Sequence, residues 1–283
     1  MRRGDLRGAR KMCEMLSLYG ISNRSRVASC RDAPARLRGL CSKWNELEYY
    51  RKSLAIKIKV PGGQHEMTAL EQRKRVMTKA ALIEEIVKME WSMFSTVHNE
   101  GGKAACQMDR PTFTIMRTSQ HQTWNEALLA SYLDDLARAQ EAGRNLMTEK
   151  YGRMMKSTFP EEYERIAAFF PPVSPETGRQ IEEIVAAHVA WKEALNGKYP
   201  HLADRSRPTR TKDDQRGLAS LETYTRAELE TYSPKTIALY HAAIQKRLAE
   251  KTSEAEENLL NQVRQYGFNS LEAAERHFTT HEE

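Results

Sequence analysis

With 283 residues the chain has room for one large domain or two small ones, and for a core that needs neither disulfides nor a structural metal. Charged residues make up 29%, hydrophobic residues 40%, and the mean hydropathy is −0.69; the longest apolar runs, such as Ile166–Phe170, fall far short of the ~20 residues of a membrane span. The net charge of +6 would suit nucleic acid if it were spread over a folded surface, and it is not.

Residues 1–43 carry the excess. They hold eleven Lys and Arg against Asp5, Glu14 and Asp32, a charge of +8, which leaves 33 basic and 35 acidic side chains, or −2, for the remainder. A near-neutral body lacks the concentrated basic surface that phosphate binding needs, so nucleic acid is not an expected partner. Nor is a membrane. The same segment holds Cys13, Cys30 and Cys41, whose spacing fits no zinc pattern and whose free thiols suit a reducing compartment. Arg-rich and acid-poor, it reads as a disordered tail or a mitochondrial targeting segment, with an over-extended start before Met12 or Met15 as an equal alternative. The expected location is cytoplasmic, or mitochondrial if this segment is a transit peptide.

Leu54, Ile56, Ile58 and Val60 alternate with Ala55, Lys57 and Lys59, which suggests a short strand at 54–60, although Trp44, Leu47, Arg51 and Leu54 would also share a helix face. From Thr68 a helical period carries Val76, Ala80, Ile83, Val87, Phe94 and Val97, with Gly101-Gly102 expected to stop the helix. A second long helix is predicted from Pro111 through Phe113, Met116, Gln120, Trp124, Leu128 and Leu136 to Gly143, so that the two form an antiparallel hairpin. Shorter helices follow at 146–157 and 160–169. After Pro171-Pro172 a helix runs from Pro175 to about Leu195, with Ile181, Ile184, Val185, His188 and Trp191 on one side. The stretch 199–219 is polar and aperiodic, a long loop of the kind that often carries function. Ser220 and Ser233-Pro234 read as caps of two more helices, the second ending at Gly267, and Ser270 as the cap of a short final one. The expectation is an all-α, bundle-like domain over 44–283.

Polar residues that interrupt apolar stripes are the informative ones. Glu90 lies on the line Ile83–Val87–Glu90–Phe94–Val97, where an unpaired carboxylate would cost several kcal/mol. Arg117 and Gln120 occupy the facing region of the second helix. An acid–Arg contact across the hairpin is therefore expected, either as a buried pair that fixes register or as a pocket in which Arg117 holds an anion and Glu90 moves a proton. The turn Asn99–Asp109 is dense in reactive side chains but matches neither GxxxxGK[ST] nor GxGxxG. Its Cys106 could serve as a nucleophile only with a histidine base, His98 or His121 being nearest in sequence. His188 is more simply a satisfied core histidine than a ligand. Asp134-Asp135 faintly suggests a metal-binding helix, and Glu222 with Arg226 a helix salt bridge.

Three strings occur in order: Glu90-Trp91 through Asn99-Glu100-Gly101-Gly102, Cys106-Gln107, Asp109 and Arg117 to Ser119-Gln120; Gly143-Arg144-Asn145-Leu146 through Glu149-Lys150-Tyr151 to Met154-Met155; and Glu222-Thr223-Tyr224 through Arg226 to Tyr232-Ser233. Over roughly Ile83 to Tyr240 the chain resembles the family catalogued as domain of unknown function 4125. The family name implies no reaction. Its motifs, rich in Glu, Asn, Cys, Gln, Asp and Arg, imply a polar site more than packing.

Two functional classes follow. The first is an enzyme acting on a small anionic metabolite through a polar pocket inside the bundle, open at the Asn99–Asp109 turn. Its catalytic candidates are Glu90, Cys106 and Asp109; its substrate-binding candidates are Asn99, Gln107, Arg117, Gln120, Trp124, Arg144, Tyr151 and Arg226. The second is a non-catalytic helical interaction module. A metal-dependent lyase or cyclase is a weaker third, requiring Asp134, Asp135 and Glu149 to face one another. No motif names a cofactor or a metal ligand set, and the oligomeric state, a homodimer included, is left open.

Overall fold

Helix starts are written into the chain as capping side chains. The computed structural model describes residues 77–98 and 103–280. The 1–43 segment with its three cysteines, the 54–60 segment, and Asn99, Glu100, Gly101 and Gly102 lie outside the described residues. Among the described residues there are eleven α-helices and no strand, so the fold is all-α. None of these helices is long and apolar enough to cross a membrane.

Helix α1 spans Lys79–Phe94, α2 Arg110–Gln122, α3 Glu126–Glu141 and α4 Leu146–Thr158. The side chains of Asp109, Asn125 and Asn145 accept the backbone N–H of Thr112, Leu128 and Thr148, each satisfying an otherwise orphaned first-turn donor. The short α5 (Pro160–Glu164) leads to the long α6 (Pro175–Lys198), capped by Ser174, and to α7 (Pro200–Ala203). Then come α8 (Leu221–Leu229), α9 (Pro234–Ala249), α10 (Glu254–Gln265) and α11 (Leu271–Thr279), capped by Ser220, Ser233, Ser253 and Ser270.

Two predicted helices are each divided. The Pro111–Gly143 helix breaks after Gln122, because Asn125 captures the Leu128 N–H and restarts the chain as α3. The helix expected to run from Pro234 to Gly267 breaks at Glu250–Ser253. There Lys251 adopts a left-handed conformation (φ 56°) and the Thr252 N–H returns to the Arg247 carbonyl at 2.9 Å, closing α9 before Ser253 caps α10. Helix α1 ends before Gly101-Gly102. Its last carbonyls are taken by side chains instead: Asn145 Nδ2 donates to Met93 O, and Gln107 Nε2 to both Phe94 O and Val97 O.

The expected stripe is buried, with Ile83, Val87, Phe94 and Val97 facing inward around Glu90. Helices α1 and α2 run antiparallel, since Lys79 at one end of α1 donates to Gln122 O at the far end of α2. Helix α3 packs on α1 and α9, α6 on α8, α9 and α10, and α10 on α2. A second apolar cluster, around Leu195, Tyr199, Val263, Tyr266 and Phe278, ties α6 and α10 to the C-terminal helix.

Candidate functional site

Glu90, fully enclosed in the middle of α1, is the centre of an ion network. Arg117 Nε donates to Glu90 Oε2 at 2.8 Å and Arg117 Nη2 to Glu90 Oε1 at 2.5 Å, a two-point grip across the α1–α2 hairpin. Nη2 also donates to Glu228 Oε1 (2.8 Å) on α8, whose Oε2 accepts from Lys150 Nζ (2.5 Å) on α4. Tyr132 on α3 donates to Glu90 Oε1 and Tyr232 to Glu228 Oε1, each at 2.8 Å, while His121 Nε2 lies 3.2 Å from both Glu90 oxygens. Two buried carboxylates thus meet two buried cations, with Arg117 and Glu228 at the edge of a cavity. Burial alone would raise the Glu90 carboxyl; the Arg117 and His121 contacts outweigh it and bring it down to about 2. Glu228 is likewise held below the usual carboxylate range, as Arg117 and Lys150 overcome its burial. Glu90 is therefore an enclosed anion that anchors the network, and not a group placed to trade protons near neutrality.

Several sequence candidates have structural work. Gln107 spends its amide clipping the end of α1 and accepting the Ala104 N–H, and Asp109 caps α2. The Cys106 thiol is pushed up by burial, which keeps it protonated. Trp124 is buried, its indole N–H donating to Glu254 Oε1 (3.1 Å). Arg144 grips Glu149 with two hydrogen bonds, and Tyr151 stacks on Phe94. Arg226 pairs with Glu222 as expected and more fully with Glu182, on the outer side of α6 and α8. Asp135 accepts the Ser233 N–H, and with Glu149 also engaged the Asp134–Asp135–Glu149 metal arrangement does not form. Among the described residues, no three His, Cys, Asp or Glu side chains are grouped to hold an ion.

Arg117 and Gln120 do share a cavity, and none of the described residues 103–109 of the expected opening lines it. A space of about 260 Å³ lies between α2, α6, α8 and α10, closed on one side by the 203–207 segment of the polar loop. Three residues one helical turn apart on α6, His188, Lys192 and Asn196, line it. Lys192 Nζ donates to Ser206 Oγ (2.5 Å) and has no carboxylate within ion-pair distance among the described residues; burial brings its pKa down from 10.5 to about 8. Asn196 Nδ2 bonds Thr209 Oγ1, leaving Oδ1 buried with no partner.

On the far wall Glu254, the first residue of α10, receives three neutral donors on one oxygen: Thr123 Oγ1 (2.9 Å), Trp124 Nε1 (3.1 Å) and Tyr240 Oη (2.9 Å). Tyr240 gives its only hydroxyl proton to this carboxylate. The Nε2 of His188, 2.9 Å from the same hydroxyl, must therefore carry a proton and donate, so Nδ1 holds the imidazole lone pair. Burial keeps His188 neutral by pushing its pKa down against the pull of Glu254 and Glu228. Sequence reasoning passed over Lys192 and Glu254; the available signal was the polar series 188–192–196 on a helix whose neighbouring positions Ile184, Val185 and Leu195 are buried.

A family model described as "Protein of unknown function (DUF4125)" matches residues 80–276, and the chain belongs to that family. The match extends past both ends of the 83–240 resemblance. No curated protein and no solved structure matches the chain.

Proposed function

We propose that the protein is an enzyme that binds and acts on a small anionic metabolite in the α2–α6–α8–α10 cavity. The observation that carries this reading is Lys192, a cation with no ion-paired carboxylate among the described residues on the wall of a partly open cavity. An ammonium in such a place is disfavoured unless an anion joins it. Arg117 is a poorer clamp than its sequence position suggested, because Glu90, Glu228 and Gln120 already occupy most of its donors. His188, neutral and oriented through Tyr240 by Glu254, presents an Nδ1 lone pair suited to general-base work beside the bound anion.

The test is a thermal-shift series with inorganic phosphate, sulfate, acetate and malonate on the wild type and Lys192→Met. Anions should stabilise the wild type alone; an equal response of both proteins, or none, rejects the site. Incubation with a defined metabolite mixture then addresses chemistry. A compound consumed by the wild type but not by His188→Gln identifies the substrate, and no consumption at all rejects the enzyme while leaving the binding site.

The alternative, a helical interaction module, draws on Phe169, which is 81% exposed beside Pro171-Pro172. Phe169→Asp should leave anion binding intact, and under this alternative it alone would abolish partner recruitment.

A further inference from the structure

Of the charged residues that line the cavity, Lys192 and Glu254 form no ion pair among the described residues, whereas Arg205 lies over the Phe278 ring and Arg207 over the Tyr224 ring with a hydrogen bond to Ala219 O. At one pole stands Lys192, whose single hydrogen bond goes to the Ser206 hydroxyl. Ser206 passes its own proton to Ala203 O, so it acts toward the lysine only as an acceptor, and two ammonium N–H groups are left over. At the other pole stands Glu254. All three of its hydrogen bonds converge on Oε1, all three donors are neutral, and it forms no ion pair among the described residues. Its Oε2 has no hydrogen bond and is not sealed within the protein. The position of Glu254 at the start of α10 favours negative charge there through the exposed helix N–H groups.

Elsewhere in the same walls opposite charges are matched. Arg117 and Glu228 face the cavity, yet they are bonded to each other and completed by Glu90 and Lys150. The protein therefore pairs Arg117 with Glu228 and leaves Lys192 and Glu254 without an ion pair on the walls of the same space. A purely anionic ligand would complete the lysine pole and repel the glutamate pole.

We infer that the ligand is a zwitterion, with an anionic group that pairs with Lys192 and an amine or ammonium that donates to Glu254 Oε2. The inference rests on the proposed anion site and narrows it to one substrate class. The poles are not in contact: no ion pair joins Lys192 to Glu254, and they are linked only through His188, one turn from Lys192 on α6, and the Tyr240 hydroxyl that donates to Glu254. A ligand that bridges two poles out of contact with each other carries its charges at its two ends, and the ladder of chain lengths below reads their separation. The volume of about 260 Å³ limits the ligand to a compact molecule.

Calorimetric titration with a ladder of ω-amino acids tests this: glycine, β-alanine, γ-aminobutyrate, δ-aminovalerate and ε-aminocaproate, each beside the monocarboxylate and the alkylamine of equal length. A longer member should bind at least about tenfold more tightly than both of its one-charge analogues, with glycine the weakest. Glu254→Gln, which keeps an Oε1 acceptor for Thr123, Trp124 and Tyr240, should erase the advantage over the carboxylate. Lys192→Met should erase the advantage over the alkylamine. The wild-type ladder decides the matter even if a variant does not fold. Monocarboxylates that bind as tightly as the ω-amino acids, in a Lys192-dependent way, overturn the zwitterion and leave the anion site standing. Failure of every ladder member to bind overturns it too, and the separate anion series shows whether the site itself survives.

Discussion

Two cations, the half-buried Lys192 and the buried Arg117, have opposite standing in the fold. The pKa of Lys192 is depressed, so the folded state holds its proton more weakly than the unfolded chain does. Its charge therefore opposes folding in full below pH about 8, and the opposition fades as pH rises from there toward the unfolded lysine value. Lys192→Met should accordingly stabilise the protein by roughly 1–3 kcal/mol at neutral pH while removing anion binding. Arg117→Met should do the reverse and cost about 3–5 kcal/mol, because it strands Glu90 and half of the charge balance of Glu228. Chemical denaturation of the two variants side by side checks both signs. A destabilised Lys192→Met would make that lysine structural.

Legibility in the sequence followed how local the cause was. Caps at Ser220, Ser233 and Ser270 needed only a few neighbouring residues, and those helix starts were readable. The breaks at Asn125 and Ser253 were hidden because apolar spacing continues in phase across them, as Trp124 and Leu128 show. At the second break the usual glycine is missing and Lys251 takes the left-handed position itself. Lys251→Gly should therefore stabilise the protein by about 0.5–1 kcal/mol, read as a rise in Tm without change in anion binding. The Glu90–Arg117 contact was legible since both residues interrupt apolar faces of adjacent helices. The unpaired state of Lys192 and Glu254 was not. It depends on which side chains fail to arrive, and that is a property of the assembled walls alone.

At the scale of the molecule, one network of charges joins α1, α2, α4 and α8, with a tyrosine from α3 bound to it. Its two carboxyls, Glu90 near 2 and Glu228 below the ordinary range, release protons more readily in the folded state than in the unfolded one. Their contribution is complete above the unfolded value of about 4.3 and is lost as pH falls through that window toward 2. Acid titration followed by far-ultraviolet circular dichroism should show cooperative unfolding below about pH 4, shifted to lower pH by high concentrations of a stabilising osmolyte. A helical signal unchanged down to pH 2 would contradict this account of the network.

The same network has a consequence for the order in which the chain is made. Glu90 and Arg117 are 27 residues apart and can meet early, but Lys150 waits 78 residues for Glu228. At about 5–20 residues per second, a ribosome leaves that interval open for several seconds. Throughout it, closing α1–α4 would bury a lysine with no partner. The nascent α1–α4 segment is therefore expected to stay open, and exposed to chaperones, until α8 emerges and supplies the missing carboxylate.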